Sequence, residues 1–219
     1  MNSLSDRLNH TLSCLAGFIG WYACFFLVWF LPGYTALYKS GLALSFVTAV
    51  ILCPFAVLAW KLYSRHYAFL TLGRFTFQDF LLPAFALIVL TYIHGYFAQP
   101  EPWLSELPQQ TPFVKWATIL SISLFAPINE EIIFRGFVLN SSIGWGRYAK
   151  TAGIIVTSGL FALIHIQYSA ISTFIYLFIF SAILCTVRIN NGGLLIPMLL
   201  HALNNSWACF VLFNFSAAK

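Results

Sequence analysis

The stretch 113-FVKWATILSISLFAPINEEIIFRGFVL-139 is long enough to cross a bilayer, yet it sets two adjacent glutamates and an arginine among isoleucine, phenylalanine and valine. About 20 predominantly apolar residues span the hydrocarbon core as a helix, and several other windows of this chain meet that length. The 219 residues are 60% hydrophobic and 8% charged, with 23 Phe, 10 Tyr and 7 Trp, a composition far from that of a soluble domain. The expectation is an all-α, polytopic transmembrane helical bundle forming a single integral membrane domain over 1–219. Hydropathy places seven spans, at 11–33, 42–61, 80–98, 113–139, 151–168, 170–188 and 192–214. An eighth requires splitting the long fourth segment or treating a loop as re-entrant.

The first apolar run, Leu12 to Leu31, follows Arg7 and lacks a small-residue cleavage site, so it reads as a retained span rather than a signal peptide. The five cysteines, Cys14, Cys24, Cys53, Cys185 and Cys209, lie in or beside apolar runs without zinc-like spacing, and read as small buried side chains. The formal net charge is +5, but the basic residues are scattered between apolar segments. That fits the positive-inside bias rather than a nucleic-acid groove. Counting Lys61, Arg65, Arg74, Arg147, Lys150 and Arg188 groups the N-terminus, the 61–79 segment, the 140–150 loop and the 189–191 turn on the cytoplasmic side. Lys39, Lys115 and Lys219 run against this orientation. The loop 99-QPEPWLSELPQQTP-112 is too proline-rich for a continuous helix, and the 61–79 segment mixes aromatic and basic residues as a headgroup-lying strap does.

An ionisable side chain inside a span is costly and should face protein or a wet cavity. Glu131 and Arg135, four apart, share a helix face and can pair. Glu130 is rotated away without a local partner, which suits it to take a proton from water. Pro127 can bend the helix or free a carbonyl beside the glutamates, and Gly136 permits close approach of another helix. In 160-LFALIHIQ-167, Phe161 and His165 share a face; in 191-NGGLLIPMLLHALNNSW-207, His201 and Asn205 do so. Asn191 and the glycines can start that last helix, and Pro197 can loosen it before His201. His10, His66 and His94 read as ordinary. Helical rise sets Glu130 and His201 roughly 14 Å from the inner ends of their spans and His165 about 21 Å from its own, an offset that tilt or a misplaced boundary must absorb.

A glutamate, two histidines and an asparagine from three helices can make a hydrolase centre. Glu130 would be general base on a water positioned by His165, with His201 and Asn205 donating to an oxyanion. The same glutamate and histidines could instead ligate zinc, although HExxH is missing and an amide suits the oxyanion role better. Structural readings stay beside these: internal ion pairs, and histidines that fasten helices. A transporter is disfavoured because inverted repeats are not evident and the polar groups crowd the second half of the chain.

Glu130-Glu131-x-x-x-Arg135, Phe161-x-x-x-His165 and His201-x-x-x-Asn205, in this order, resemble the three motifs of the CAAX prenyl endopeptidase-like (CPBP/Abi) family of intramembrane proteases, over about residues 113–210. The resemblance implies a helical bundle with a cavity opened toward the cytoplasm and the lipid. It implies catalytic roles for Glu130, His165, His201 and Asn205, and supporting roles for Glu131, Arg135 and Phe161. Its implied mechanism is glutamate-dependent water activation without a cofactor, with a zinc-dependent version as runner-up. The implied partner is a peptide or membrane-protein substrate, with or without a lipid modification, and not nucleic acid; the oligomeric state is left open. Eukaryotic members remove the last three residues of prenylated proteins. Prokaryotic ones are linked to peptide processing, bacteriocin self-immunity and scaffolding, and this short chain is more similar to the prokaryotic group, hence to a protein of a prokaryotic cell membrane.

Overall fold

The computed structural model describes residues 3–215, so Lys219 lies outside the described residues. Seven long helices account for the bundle: α1 Leu4–Phe30, α2 Ala43–Tyr63, α3 Phe77–Phe97, α4 Pro112–Ser142, α5 Ala149–Leu163, α6 Ile171–Asn191 and α7 Leu195–Phe215. Six are long and apolar enough to cross a membrane; α5, with 15 residues, is shorter. At about 1.5 Å per residue, α5 falls short of the roughly 30 Å hydrocarbon core. The first helix begins at Leu4 rather than near residue 11 because Ser3 and Asp6 form a reciprocal capping box that carries the helix past Asp6 and Arg7. Thr111 caps α4 at Val114 N–H, with Pro112 in the first turn.

The departure from the expected spans that bears most on the site is the end of α5, at Leu163 instead of residue 168. No glycine or proline stops it. The His165 N–H turns to Ala162 O, and the imidazole Nδ1 takes Phe161 O at 2.6 Å in its place. A side chain thus caps the carbonyl that the next helical turn would have used, and His165 sits in a connector beyond the helix. The expected depth offset rested on a continuous span through His165, and that span does not exist.

Two ends of the bundle separate cleanly. Thr11 Oγ1 donates to Ser141 O, Trp145 Nε1 donates to Thr11 Oγ1, Asn140 and Arg188 donate to Phe69 O, and Leu194 N–H and Leu195 N–H donate to Thr71 O and Leu72 O. The four basic segments grouped from the sequence therefore meet at one end. The 98–111 loop and the 164–170 connector lie together at the other, joined by hydrogen bonds described below. The loop contains short helical turns at Pro102–Ser105 and Leu107–Gln109.

The 61–79 strap does more than lie along headgroups. Leu70 is buried and fills the space over Gly136, where a Cβ would come within 2.8 Å of its Cδ1. Gly136 therefore admits the strap and not another helix. Gly73, at φ +77°, meets Gly193 backbone to backbone, and a Cβ on Gly193 would lie 2.4 Å from the Gly73 Cα. Two expectations about α7 also change. Asn191 ends α6, ahead of Gly192 at φ +76°, and donates to Asp79 Oδ2. Pro197 lies in the first turn of α7, where a missing N–H costs nothing.

The core is built around α4. Phe134 packs edge-on to Trp21 of α1 and Phe161 of α5, and Phe161 packs against Phe180 of α6. All five cysteines are free, and four are buried.

Candidate functional site

The polar cluster is assembled on one irregular helix. Within α4, the segments Ser121–Phe125 and Ile132–Val138 are π-helical and flank the glutamates, a form that often marks functional sites. Pro127 explains the consequence of the first. Ala126 N–H bonds Ser121 O five residues back; the next bond in that register would join residue 127 to Ile122 O, and proline has no N–H. Asn205 supplies the missing donor, Nδ2 to Ile122 O at 3.0 Å. In a medium without water a free carbonyl is costly, so Pro127 and Asn205 are complementary across α4 and α7.

Glu131 and Arg135 form the expected pair, 2.8 Å apart and both fully buried. The carboxylate oxygen that holds Arg135 also accepts from His201 Nδ1 at 2.8 Å. Arg135 donates onward to the Ser181 carbonyl and hydroxyl on α6, at 3.2 and 2.9 Å, and its guanidinium stacks 4.8 Å from the Phe161 ring centre. Four helices are thereby tied at one point, and a buried ion pair needs such extra partners to offset its desolvation. Glu130 keeps some access to its surroundings, with 17% of its side chain exposed, and its Oε2 lies 3.8 Å from His201 Nε2. That gap is too long for a direct hydrogen bond and suits a bridging water.

The tautomers follow from the acceptors. Phe161 O and the Arg135-paired carboxylate of Glu131 can only accept, so both histidines carry hydrogen on Nδ1, and the Nε2 of His201 turns to Glu130. The imidazole of His165 contacts the Phe161 ring at 4.7 Å and Tyr168 at 6.2 Å; the His201 ring lies 5.9 Å from Phe161 and 5.1 Å from Phe180. Glu130, His201 and Arg135 are the charged or titratable groups that act on His165. The structure thus gathers Glu130, Glu131, Arg135, Phe161, His165 and His201. Asn205 stands one turn further along the same face of α7, with one of its two amide hydrogens committed to Ile122.

Sequence reasoning missed Ser181, which lies in a featureless apolar run, and Asn129, which accepts from Trp21 Nε1 at 3.1 Å and donates to Phe125 O at 2.8 Å. It also missed the second role of Glu131, orienting His201. No group of three or more His, Cys, Asp or Glu disposed to hold a metal ion occurs among the described residues. Beside the cluster, a cavity of about 680 Å³ opens between α3 and α7, lined by Leu87, Thr91, Tyr92, Leu200, Leu203 and Asn204 among others. Its polar edge is a three-helix hydrogen-bond group in which Asn204 Oδ1 accepts from Tyr176 at 2.8 Å and from Thr91 at 3.3 Å.

Residues 112–207, which carry α4, α5, α6 and the first part of α7, match the family described as Type II CAAX prenyl endopeptidase Rce1-like. The matched segment, somewhat under half of the chain, contains every polar residue of the cluster. The chain is also 44% identical over 105 residues to the Escherichia coli "Uncharacterized 24.3 kDa protein", a match covering 46% of this chain and 47% of that protein, about half the length of each. No solved structure matches.

Proposed function

We propose that the protein is an intramembrane endopeptidase that hydrolyses a peptide bond near the membrane. The observation that carries this reading is the placement of a partly accessible Glu130 carboxylate 3.8 Å from an imidazole that Glu131 and Arg135 hold rigid. A water there can give one hydrogen to Glu130 and be steered by the Nε2 of His165, which the Nδ1 bond to Phe161 O leaves free to accept. Glu130 removes the proton as the water oxygen bonds to the scissile carbonyl carbon. The resulting oxyanion accepts from the free amide hydrogen of Asn205 and, when His201 is protonated, from its Nε2–H. Collapse breaks the C–N bond, and Glu130 returns the proton to the leaving amine. The family match supports this reading, as does the gap between α3 and α7, which offers a lateral route for a substrate resident in the bilayer. Whether a lipid modification is recognised belongs to the same proposal.

The buried Glu131–Arg135–Ser181–His201 network also supports a second reading, an immunity or scaffold protein whose polar cluster only fastens helices. Incubating the reconstituted protein with a peptide library, as wild type and Glu130→Gln, with and without a chelator, separates the two. Cleavage lost in Glu130→Gln and indifferent to chelation is the expected result. Chelator-sensitive cleavage would instead revive the zinc version. Cleavage that persists in Glu130→Gln, or no cleavage by the wild type across the library, counts against the glutamate-dependent peptidase.

A further inference from the structure

His165 is reached by a connector that its own sequence does little to hold. Between Leu163 and Ile171 the backbone makes only turn contacts, among them Tyr168 N–H to His165 O at 3.1 Å. The N-cap of α6 is Ala170, whose side chain has no oxygen to accept from the first free amides of that helix. The acceptor comes instead from a carboxylate some seventy residues earlier in the chain. Glu101 Oε2 accepts from Ser169 N–H at 2.9 Å and Ser169 Oγ at 3.0 Å; Oε1 accepts from Ala170 N–H and Thr173 Oγ1, both at 3.1 Å.

Each oxygen thus takes one amide and one hydroxyl. Four donors converging on one buried group fit an acceptor-only carboxylate and no other side chain as well. Two residues on, Trp103 packs edge-on against Tyr168 at 5.4 Å, and Tyr168 in turn stacks on the His165 ring. The sequence has only six acidic residues, and this one is buried at a bundle end with no cation among its hydrogen-bond partners. It lies outside the 112–207 segment of the family match.

We propose that Glu101 is a positioning residue for the centre: through Ser169, Ala170 and Thr173 it fixes the connector bearing His165 and Tyr168, so that the 98–111 loop forms the wall of the site at that end. The proposal rests on the peptidase reading for its effect on turnover, but not for its effect on the connector. Replacing Glu101 by Gln puts an NH₂ group against a backbone N–H that it cannot satisfy and a hydroxyl that must reverse from donor to acceptor. Thr173→Val removes a single donor at nearly constant shape, and serves if Glu101→Gln does not fold.

The test uses the full chain in lipid nanodiscs. Three readouts are compared between wild type, Glu101→Gln, Thr173→Val and the double variant: amide exchange at Ser169 and Ala170, the ¹⁵N imidazole signals of His165 and His201, and kcat and KM on a peptide that the wild type cleaves. Glu101→Gln is expected to speed exchange of the two amides roughly tenfold or more and to move the His165 signal while His201 stays in place. It should lower kcat roughly tenfold with KM little changed. Thr173→Val should do the same more weakly and add little in the Glu101→Gln background. Unchanged exchange and an unmoved His165 signal overturn the proposal, and so does a loosened connector with wild-type kcat. If the wild type cleaves nothing, the peptidase reading fails alone, and exchange and the His165 signal still decide whether Glu101 holds the connector.

Discussion

One oxygen of Glu131 holds both Arg135 and His201, each at 2.8 Å, while the neighbouring Glu130 makes no direct hydrogen bond to the imidazole that it faces. Adjacent residues of one type thus carry separable duties, one structural and one chemical. The difference comes from helical geometry, since successive residues are about 100° apart around the axis, turning one glutamate fully into the core and leaving the other partly exposed.

Glu131→Ala leaves Arg135 buried without its counter-charge and should lower stability by about 3–5 kcal/mol. Glu130→Gln removes no hydrogen bond from the fold and should change stability by no more than about 1 kcal/mol, while cutting turnover roughly 100-fold or more. Unfolding in mixed micelles beside a cleavage assay checks both. Equal destabilisation by the two substitutions would contradict the division of duties.

Pro127 and Asn205 should be energetically coupled. Asn205→Ala strands the Ile122 carbonyl and should cost about 1–3 kcal/mol. In a Pro127→Ala background residue 127 regains an N–H able to reach that carbonyl, so the same substitution should cost about 1 kcal/mol less. A double-mutant cycle on unfolding free energy measures the difference, and strict additivity would show that the carbonyl is satisfied in some other way.

Much of this was legible before any coordinates. Charges in an apolar chain are rare enough to single out Glu130, Glu131, Arg135, His165 and His201, and period-3.6 spacing pairs Glu131 with Arg135. Basic residues, counted between apolar runs, group the segments that share one end of the bundle. Three things were not legible, for physical reasons. The end of α5 is set by an imidazole capping a carbonyl, which leaves no glycine or proline signal. Ser181 matters only because another helix delivers Arg135 to it. Glu101 looks like an ordinary loop acid, and its four donors lie far along the chain, where local spacing says nothing.

The connector should depend on pH through Glu101. Burial opposes its ionisation, but hydrogen bonds from Ser169, Ala170 and Thr173 outweigh that and hold its pKa below the ordinary glutamate value. A depressed folded-state pKa means that the stabilisation is complete above the unfolded value and is lost as pH falls through the folded one. His94 on α3 and Tyr168 on the connector are the titratable groups that face it. Exchange protection at Ser169 and Ala170 should therefore hold from neutral pH down to the ordinary glutamate range and fall below it. The Glu101→Gln variant should be loose throughout, with no such step. A wild-type protein whose connector loosens near pH 6 would point to a histidine as the sensor instead.

The gap between α3 and α7 gives the last prediction. Leu200 and Asn204 line it and adjoin His201 and Asn205 along α7, which makes the gap a candidate route to the centre although none of the centre's own side chains lines it. Its volume of about 680 Å³ falls within the range of ligand-sized pockets, roughly 300–1,000 Å³. Along α3 only Leu87 is buried, while Leu82 and Phe85, and Ile88, Tyr92 and Tyr96 at the gap, are exposed. Ala84→Trp should fill the gap without removing a hydrogen bond, leaving thermal stability unchanged or higher. For a membrane-anchored substrate, kcat/KM should fall roughly tenfold, whereas a short soluble peptide reaching the centre by another path should be cleaved at nearly the wild-type rate. Equal losses on both substrates would mean that the tryptophan disturbs the centre itself, and no loss on either would mean that substrate does not pass between α3 and α7.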